Sequence, residues 1–209
     1  GLRRAWPAIA GTDAPGSRVR LAAGQVTAPP LARGADESYA LAVGVDGVCR
    51  QAATAVGARR GVETLLQIAD HGRLPFVAVA DAPHLRWRGL MVDICRHWIG
   101  LDTLLATVDA MAAAKLNVLH LHLSDDHAFR LESRVHPRLH TVGSDGRWLS
   151  HADVARLVDH AHRAGIRVVP ELDVPGHVTS WLVAYPELAA TPGPFALRTT
   201  PGIATDALH

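Results

Sequence analysis

At 209 residues the chain is long enough to bury a sizeable core, as one large domain or two modest ones. Its 21 basic and 20 acidic residues leave a formal net charge of +1, and no Lys/Arg cluster stands apart from acids. That balance excludes an electrostatic nucleic-acid footprint and favours a neutral or small polar ligand. No run of about 18 apolar residues and no charged-then-apolar leader occurs, so neither a membrane span nor a signal peptide is expected; a mature secreted or periplasmic protein reads the same way.

Residues 1–36 are rich in Gly, Pro and Ala, with short apolar stretches such as Val19–Ala23, and read as loops around an edge strand. Tyr39–Val45 and Val48–Ala52 flank Asp46-Gly47, the pattern of two strands joined by a tight turn in which Gly takes the positive φ. Val62, Leu65, Leu66 and Ala69 recur at three and four, which predicts an amphipathic helix from Ala58 to about Asp70, stopped at Gly72. A short strand over Phe76–Ala80 completes a small α+β domain, residues 1–84. Cys49 and Cys95 fall in different predicted domains and make no disulfide framework; both read as small buried hydrophobes.

The remainder, 85–209, alternates strand and helix. Arg88–Asp93, Asn117–Leu123 and Val168–Asp173 are apolar, strand-like runs. Between the first two, a helix is predicted with Asp102 as its cap and Leu104, Leu105, Val108, Met111, Ala112 and the Lys115 stem on one face. Between the second and third, Ser150 with Asp153 predicts a capping box for a helix whose Val154, Leu157, Val158 and Ala161 face a sheet, ending at Gly165. This order is the grammar of α/β folds with a parallel sheet, in which ligands lie beyond the carboxyl ends of the strands. Asp125, Asp126, Asp173 and His177 therefore share one face.

Several residue patterns there carry chemistry. His120 and His122, two apart on a strand, project from one side at a metal-ligand spacing, so a metal-dependent barrel hydrolase is one candidate. Asp125 or Asp126 with His177 forms the orienting pair that a catalytic carboxylic acid needs; read blandly, the two aspartates cap a helix or make a turn. Arg88 offers a planar fork for sugar hydroxyls or carboxylates, or an ordinary ion pair. Pro175-Gly176-His177 sets an imidazole on a tight turn at the strand ends.

The strings W-R-G-L-M-V-D-I-C-R-H-W (87–98), K-L-N-V-L-H-L-H-L-S-D-D (115–126) and V-V-P-E-L-D-V-P-G-H (168–177) resemble glycoside hydrolase family 20, the β-N-acetylhexosaminidases. Upstream, D-E-S-Y-A-L-A-V (36–43) and G-V-E-T-L-L-Q-I (61–68) resemble the small α+β domain that precedes the family's barrel. The resemblance implies an α/β fold consisting of a partial TIM (β/α)8 barrel, its first three strands, behind that small domain. It implies that Arg88 binds the hydroxyls of the terminal sugar. It also implies that Asp125, with Asp126 as the alternative, and His177 form the pair supporting a catalytic glutamic acid. Asp93, Arg96, His97, Asp126, His122, Glu171 and Asp173 match framework positions behind the reacting groups.

The implied reaction is substrate-assisted retention on an N-acetylhexosamine-terminated oligosaccharide or glycoconjugate, with no metal or organic cofactor. The family's catalytic Asp-Glu pair follows a fourth strand and is expected beyond His209, so these residues alone are expected to be inactive. Two uncovered sheet edges imply self-association. A non-catalytic sugar-binding module is the alternative from another class, beside the metal-dependent hydrolase.

Overall fold

The computed structural model describes residues 19–21, 35–45, 47–200, 202 and 204–208. They divide into two compact units: one holds the described residues up to Arg88 together with Ala112–Lys115, the other Gly89–Met111 and the residues from Leu116 onward.

The first unit is built on a four-stranded sheet, in the order β1 (Val19–Leu21), β3 (Gly47–Gln51), β2 (Tyr39–Gly44), β4 (Val77–Asp81). β2 pairs antiparallel with β3 and with β4, while β1 runs parallel to β3. The tight connection between β2 and β3 has Gly47 at φ 109°, as the Asp-Gly dipeptide predicts; Asp46 lies outside the described residues. Alternation along β2 buries Tyr39, Leu41 and Val43, which join Val48 and Leu65 in the core of this unit. The same alternation corrects the expectation for Cys49. It stands between buried Val48 and Arg50 and so faces solvent, whereas Cys95 is buried as expected.

Helix α1 runs from Ala55 to Ile68, three residues earlier at its start than the apolar spacing suggests. Thr54 is the reason: its hydroxyl accepts the Gly57 N–H at 3.0 Å and caps the helix. The buried face also differs from the expected apolar stripe, being Gly57, Arg60, Gly61, Thr64 and Leu65, while Leu66 is exposed. The helix lies so close to the start of β2 that a Cβ on Gly57 would stand 2.4 Å from the Ser38 carbonyl oxygen. Arg60 is accommodated there because its Nε donates to Glu37 Oε2 at 2.6 Å.

The second unit holds a parallel sheet in sequence order: β5 (Gly89–Asp93), β6 (Val118–His122), β7 (Arg167–Glu171). Helix α2 (Leu101–Ala113) follows β5 and buries Leu104, Val108 and Met111. Asp102 does not cap it. The Leu104 N–H already reaches the Gly100 carbonyl at 3.1 Å, which puts Asp102 inside the first turn, where its charge meets the positive end of the helix dipole.

After the central strand β6, the chain passes through the short α3 (Arg138–Thr141) into α4 (His151–Arg163). Both halves of the Ser150–Asp153 capping box are formed. Leu157 and Ala161 are buried and α4 packs along β7, but Val158 is on the solvent side. Gly165, at φ 71°, turns the chain into β7. Helix α5 (Thr179–Ala184) and a 3-10 turn at Pro186–Leu188 come next, with Phe129 and Trp181 meeting edge to face at 5.3 Å between centroids.

Candidate active site at the carboxyl ends of the parallel strands

The register of the parallel sheet puts Asp93, His122 and Glu171 on one rung, the last of each strand. Apolar residues dominate the preceding rungs, so the change to three titratable side chains marks where the sheet stops serving a core. Beyond this rung the chain after β6 turns sharply: the Asp125 N–H bonds the Ala128 carbonyl at 3.0 Å, and Arg130 N–H returns to the Leu123 carbonyl at 2.8 Å. Ser124 in that turn is fully buried and accepts the Asp173 N–H at 3.0 Å, tying the ends of β6 and β7 together.

Asp125 is the hub. Its carboxylate is 1 % exposed, and four cationic or ionisable side chains face it: Arg96 at 2.6 Å, His122 Nε2 at 3.0 Å, His127 Nδ1 at 3.3 Å and His177 Nδ1 at 3.8 Å. Burial alone would push its pKa up. The His122 hydrogen bond and the Arg96 charge outweigh burial and hold it below the usual carboxylate value. Arg96 in turn is held by Asp93 at 2.6 Å, and Asp93 also accepts the Cys95 and Arg96 N–H groups.

His122 is buried and has a carboxylate on each ring nitrogen: Asp125 on Nε2, and Glu171 Oε1 on Nδ1 at 2.5 Å. The Asp125 bond leads, and with Glu171 it pushes the imidazole pKa up to about 9 against the opposing effect of burial. His120, on the same side of β6, meets Glu171 through its other oxygen. Burial and the neighbouring Glu171 charge push the Asp173 carboxyl up, while the two histidines pull Glu171 down.

Asp126 is turned the other way. Its Oδ1 accepts the Thr179 hydroxyl at 2.9 Å and the Thr179 N–H at 3.2 Å, at the start of α5. Its buried Oδ2 has no hydrogen-bond partner among the described residues and lies 3.5 Å from His177 Nδ1. His177 has φ 56°, a left-handed conformation rare for a side chain of its size, and stands over both aspartates. The expected Asp–His juxtaposition therefore involves Asp125 and Asp126 alike.

Arg88 belongs to the first unit. Its Nη2 donates to Glu37 at 2.5 Å, Nη1 to the Leu85 carbonyl at 2.6 Å and Nε to the Lys115 carbonyl at 2.8 Å.

Among the described residues, three groups are close enough to converge on a metal ion: Asp93 with Cys95 and His122, His122 with Glu171 and Asp173, and Asp125 with Asp126 and His177. In the first two, both ring nitrogens of His122 already face carboxylates, Glu171 on Nδ1 and Asp125 on Nε2, so the ring has no open nitrogen for an ion. The Cys95 thiol is pushed up by burial, and it donates to the His122 carbonyl at 3.4 Å. Only the third retains donors of the right kind, and its Asp125 is already neutralised by Arg96.

Sequence reasoning missed Arg130, which sits 3 % exposed behind the site. Its Nε donates to the Ile94 carbonyl at 3.0 Å, Nη2 to the Cys95 carbonyl at 3.3 Å, and Nη1 to the Arg147 carbonyl at 2.8 Å and to Asp145. It fixes the turn after β5 that carries Arg96. Thr179, directly after the Gly-His-Val triplet, was equally unmarked, although a hydroxyl two residues from a predicted site histidine is a signal of the right type.

The model of the glycosyl hydrolase family 20 catalytic domain matches residues 85–206. The chain is 38 % identical over 170 residues to β-hexosaminidase subunit β of Entamoeba histolytica, covering 78 % of this chain and 30 % of that protein. It is 38 % identical over 186 residues to the β-N-acetylhexosaminidase of Cellulomonas fimi, covering 83 % and 38 %. Among solved structures, the chitobiase of Flavobacterium johnsoniae superposes with a TM-score of 0.79 at 38 % identity, over 83 % of this chain and 27 % of that one. A β-hexosaminidase of Streptomyces plicatus, a mutant solved with its product GlcNAc, superposes at 0.77 with 32 % identity, over 91 % and 40 %. The chain thus spans about a third of the length of the relatives it matches.

Proposed function

The chain belongs to glycosyl hydrolase family 20, and from that premise we propose that the full-length protein releases terminal N-acetylhexosamine from oligosaccharides or glycoconjugates by substrate-assisted retention. In this reading β5, β6 and β7 are the first three strands of a (β/α)8 barrel, and the titratable rung opens onto its sugar pocket. The 2-acetamido carbonyl oxygen attacks the anomeric carbon while a glutamic acid protonates the leaving oxygen. Asp125, with Asp126, and His177 support that acid. Arg88, as the resemblance of its motif implies, binds sugar hydroxyls, and Asp173, Glu171 and His122 form the frame of the Asp–His pair.

The observation that carries the reading is the convergence of Asp125, Asp126 and His177 within 3.8 Å at the carboxyl ends of three parallel strands. The chain spans about a third of the length of the relatives it matches, so hydrolysis is proposed for the full-length protein and not for these residues by themselves. β5 and β7 are sheet edges among the described residues, and Met91 on β5 is exposed; we propose self-association of the isolated chain through them.

The test is turnover of a chromogenic β-N-acetylglucosaminide. The full-length protein should hydrolyse it, Asp125→Asn and His177→Asn should each lower kcat by about 100-fold, and the isolated chain should show no turnover. Saturable GlcNAc binding by the full-length protein without turnover would replace this reading with the sugar-binding one.

A further inference from the structure

We propose that His122 is a positioning residue, a doubly donating imidazolium that locks Asp125 and Glu171 at a fixed separation and so holds the Asp125–His177 arrangement. This inference rests on the proposed glycosidase reading and assigns a role within the same site.

The argument is one of donors and acceptors. Carboxylates stand on both ring nitrogens of His122, Glu171 at 2.5 Å and Asp125 at 3.0 Å, and an ionised carboxylate can only accept. Both contacts are hydrogen bonds only if both nitrogens carry protons. The ring is 3 % exposed and sits on the central strand, with Asp93 and Glu171 beside it on the same rung. A neutral imidazole would leave either the buried Asp125 or the partly buried Glu171 carboxylate facing a lone pair, which costs more than the loss of one bond.

The other charged groups around it are consistent. Arg96 and His127 face Asp125, His120 faces Glu171, Asp93 is paired with Arg96, and Asp173 lies beside Glu171 with its carboxyl pushed toward the neutral form. Asp125 faces both rings, His122 at 3.0 Å and His177 at 3.8 Å, so a shift in His122 reaches His177 through that buried carboxylate, and the Asp173 charge also acts on both. His120, although at the same H-x-H spacing, is 38 % exposed and meets Glu171 alone, so it lacks this double engagement.

Side-chain nitrogen NMR of the histidines in the full chain tests the charge state without requiring activity. His122 should keep both ring nitrogens protonated at pH 8, where an ordinary imidazole is neutral; a neutral ring at that pH overturns the proposal. In the full-length protein, His122→Gln should lower kcat by about 10- to 100-fold with KM changed less than about threefold, and should move the acid limb of the kcat/KM profile to higher pH because Asp125 loses a cation. An unshifted limb, or an effect confined to KM, also overturns it. An inactive wild type would refute the glycosidase reading, and the protonation of the His122 ring at pH 8 would still decide whether it is the doubly donating cation proposed.

Discussion

Arg96 Nη2 lies 2.6 Å from Asp125 Oδ2, joining the turn after β5 to the turn after β6 through one buried carboxylate. The guanidinium is 42 % exposed while the carboxylate is 1 % exposed, so the pair is asymmetric: Asp125 has been removed from water and Arg96 has not. Removing Arg96 leaves His122 as the main compensation for a buried charge. Breaking a fully buried pair costs about 3–5 kcal/mol, and the solvated head of Arg96 scales this down. Arg96→Met should destabilise the chain by about 1–2 kcal/mol in urea unfolding. Asp125→Asn in the Arg96→Met background should recover part of that loss, and purely additive losses would mean that the pair carries no coupling.

The titrations around Asp125 predict a stability curve with two shoulders. The folded pKa of His122, about 9, is above the ordinary 6.5 of an unfolded chain. Its contribution is therefore complete below about pH 6.5 and is lost as the pH rises toward 9. Asp93 and Asp125 move the opposite way, below their ordinary 3.8, so their contribution is present above that pH and lost in acid. The unfolding free energy should fall from pH 7 to pH 9 with a slope of at most about 1.4 kcal/mol per pH unit from this one group. His122→Gln should flatten that alkaline slope and also shrink the Asp125 share of the acid shoulder, because the His122 bond helps hold that carboxyl down, while the Asp93 share, set by Arg96, stays in place.

Much of the second unit was legible because its signals are local. Five-residue apolar strands, a Ser-x-x-Asp cap and a Gly stop depend on residues close in sequence, and the alternation of β2 is similarly self-contained. What escaped were polar groups whose partners lie far along the chain. Nothing near Arg130 announces that the Ile94 and Cys95 carbonyls need donors, because that need arises only when the turn after β5 is folded against it. Arg60 reads as an exposed helical arginine until Glu37 stands beside it. Cys49 was misjudged by residue type, although the strand alternation around it already pointed outward. In the site, Asp125, Asp126 and His177 were named from the motifs, but the shared rung of Asp93, His122 and Glu171 requires the register.

Arg130 supplies the next prediction. It satisfies three backbone carbonyls, those of Ile94, Cys95 and Arg147, and pairs with Asp145, whose carboxyl is driven well below its usual value by the two arginines beside it despite partial burial. Arg130→Met keeps the volume but orphans those carbonyls, and should cost about 3–4 kcal/mol. Asp145→Asn removes only the half-exposed partner and should cost about 1 kcal/mol. Equal losses in the two variants, measured by denaturant unfolding, would show that the ion pair and not the carbonyl set is what Arg130 contributes.

Gly143 connects packing to the site by a different route. It follows α3, accepts the Phe129 N–H at 2.8 Å, and lies so close to α5 that a Cβ would stand 2.4 Å from the Ser180 carbonyl oxygen and 2.5 Å from that of Leu139. Both obstacles are backbone, so neither can rotate aside, and Gly143→Ala should cost about 2–3 kcal/mol. Relief by outward movement of α5 would carry Thr179 with it, and Thr179 provides both of the hydrogen bonds to Asp126 Oδ1. The expected signature is faster amide exchange at Thr179 in Gly143→Ala. Gly44→Ala, where the added Cβ meets nothing within 4 Å, should leave that exchange unchanged. Protection at Thr179 that survives Gly143→Ala would mean that α5 does not yield, and that Asp126 is held independently of the α3–α5 contact.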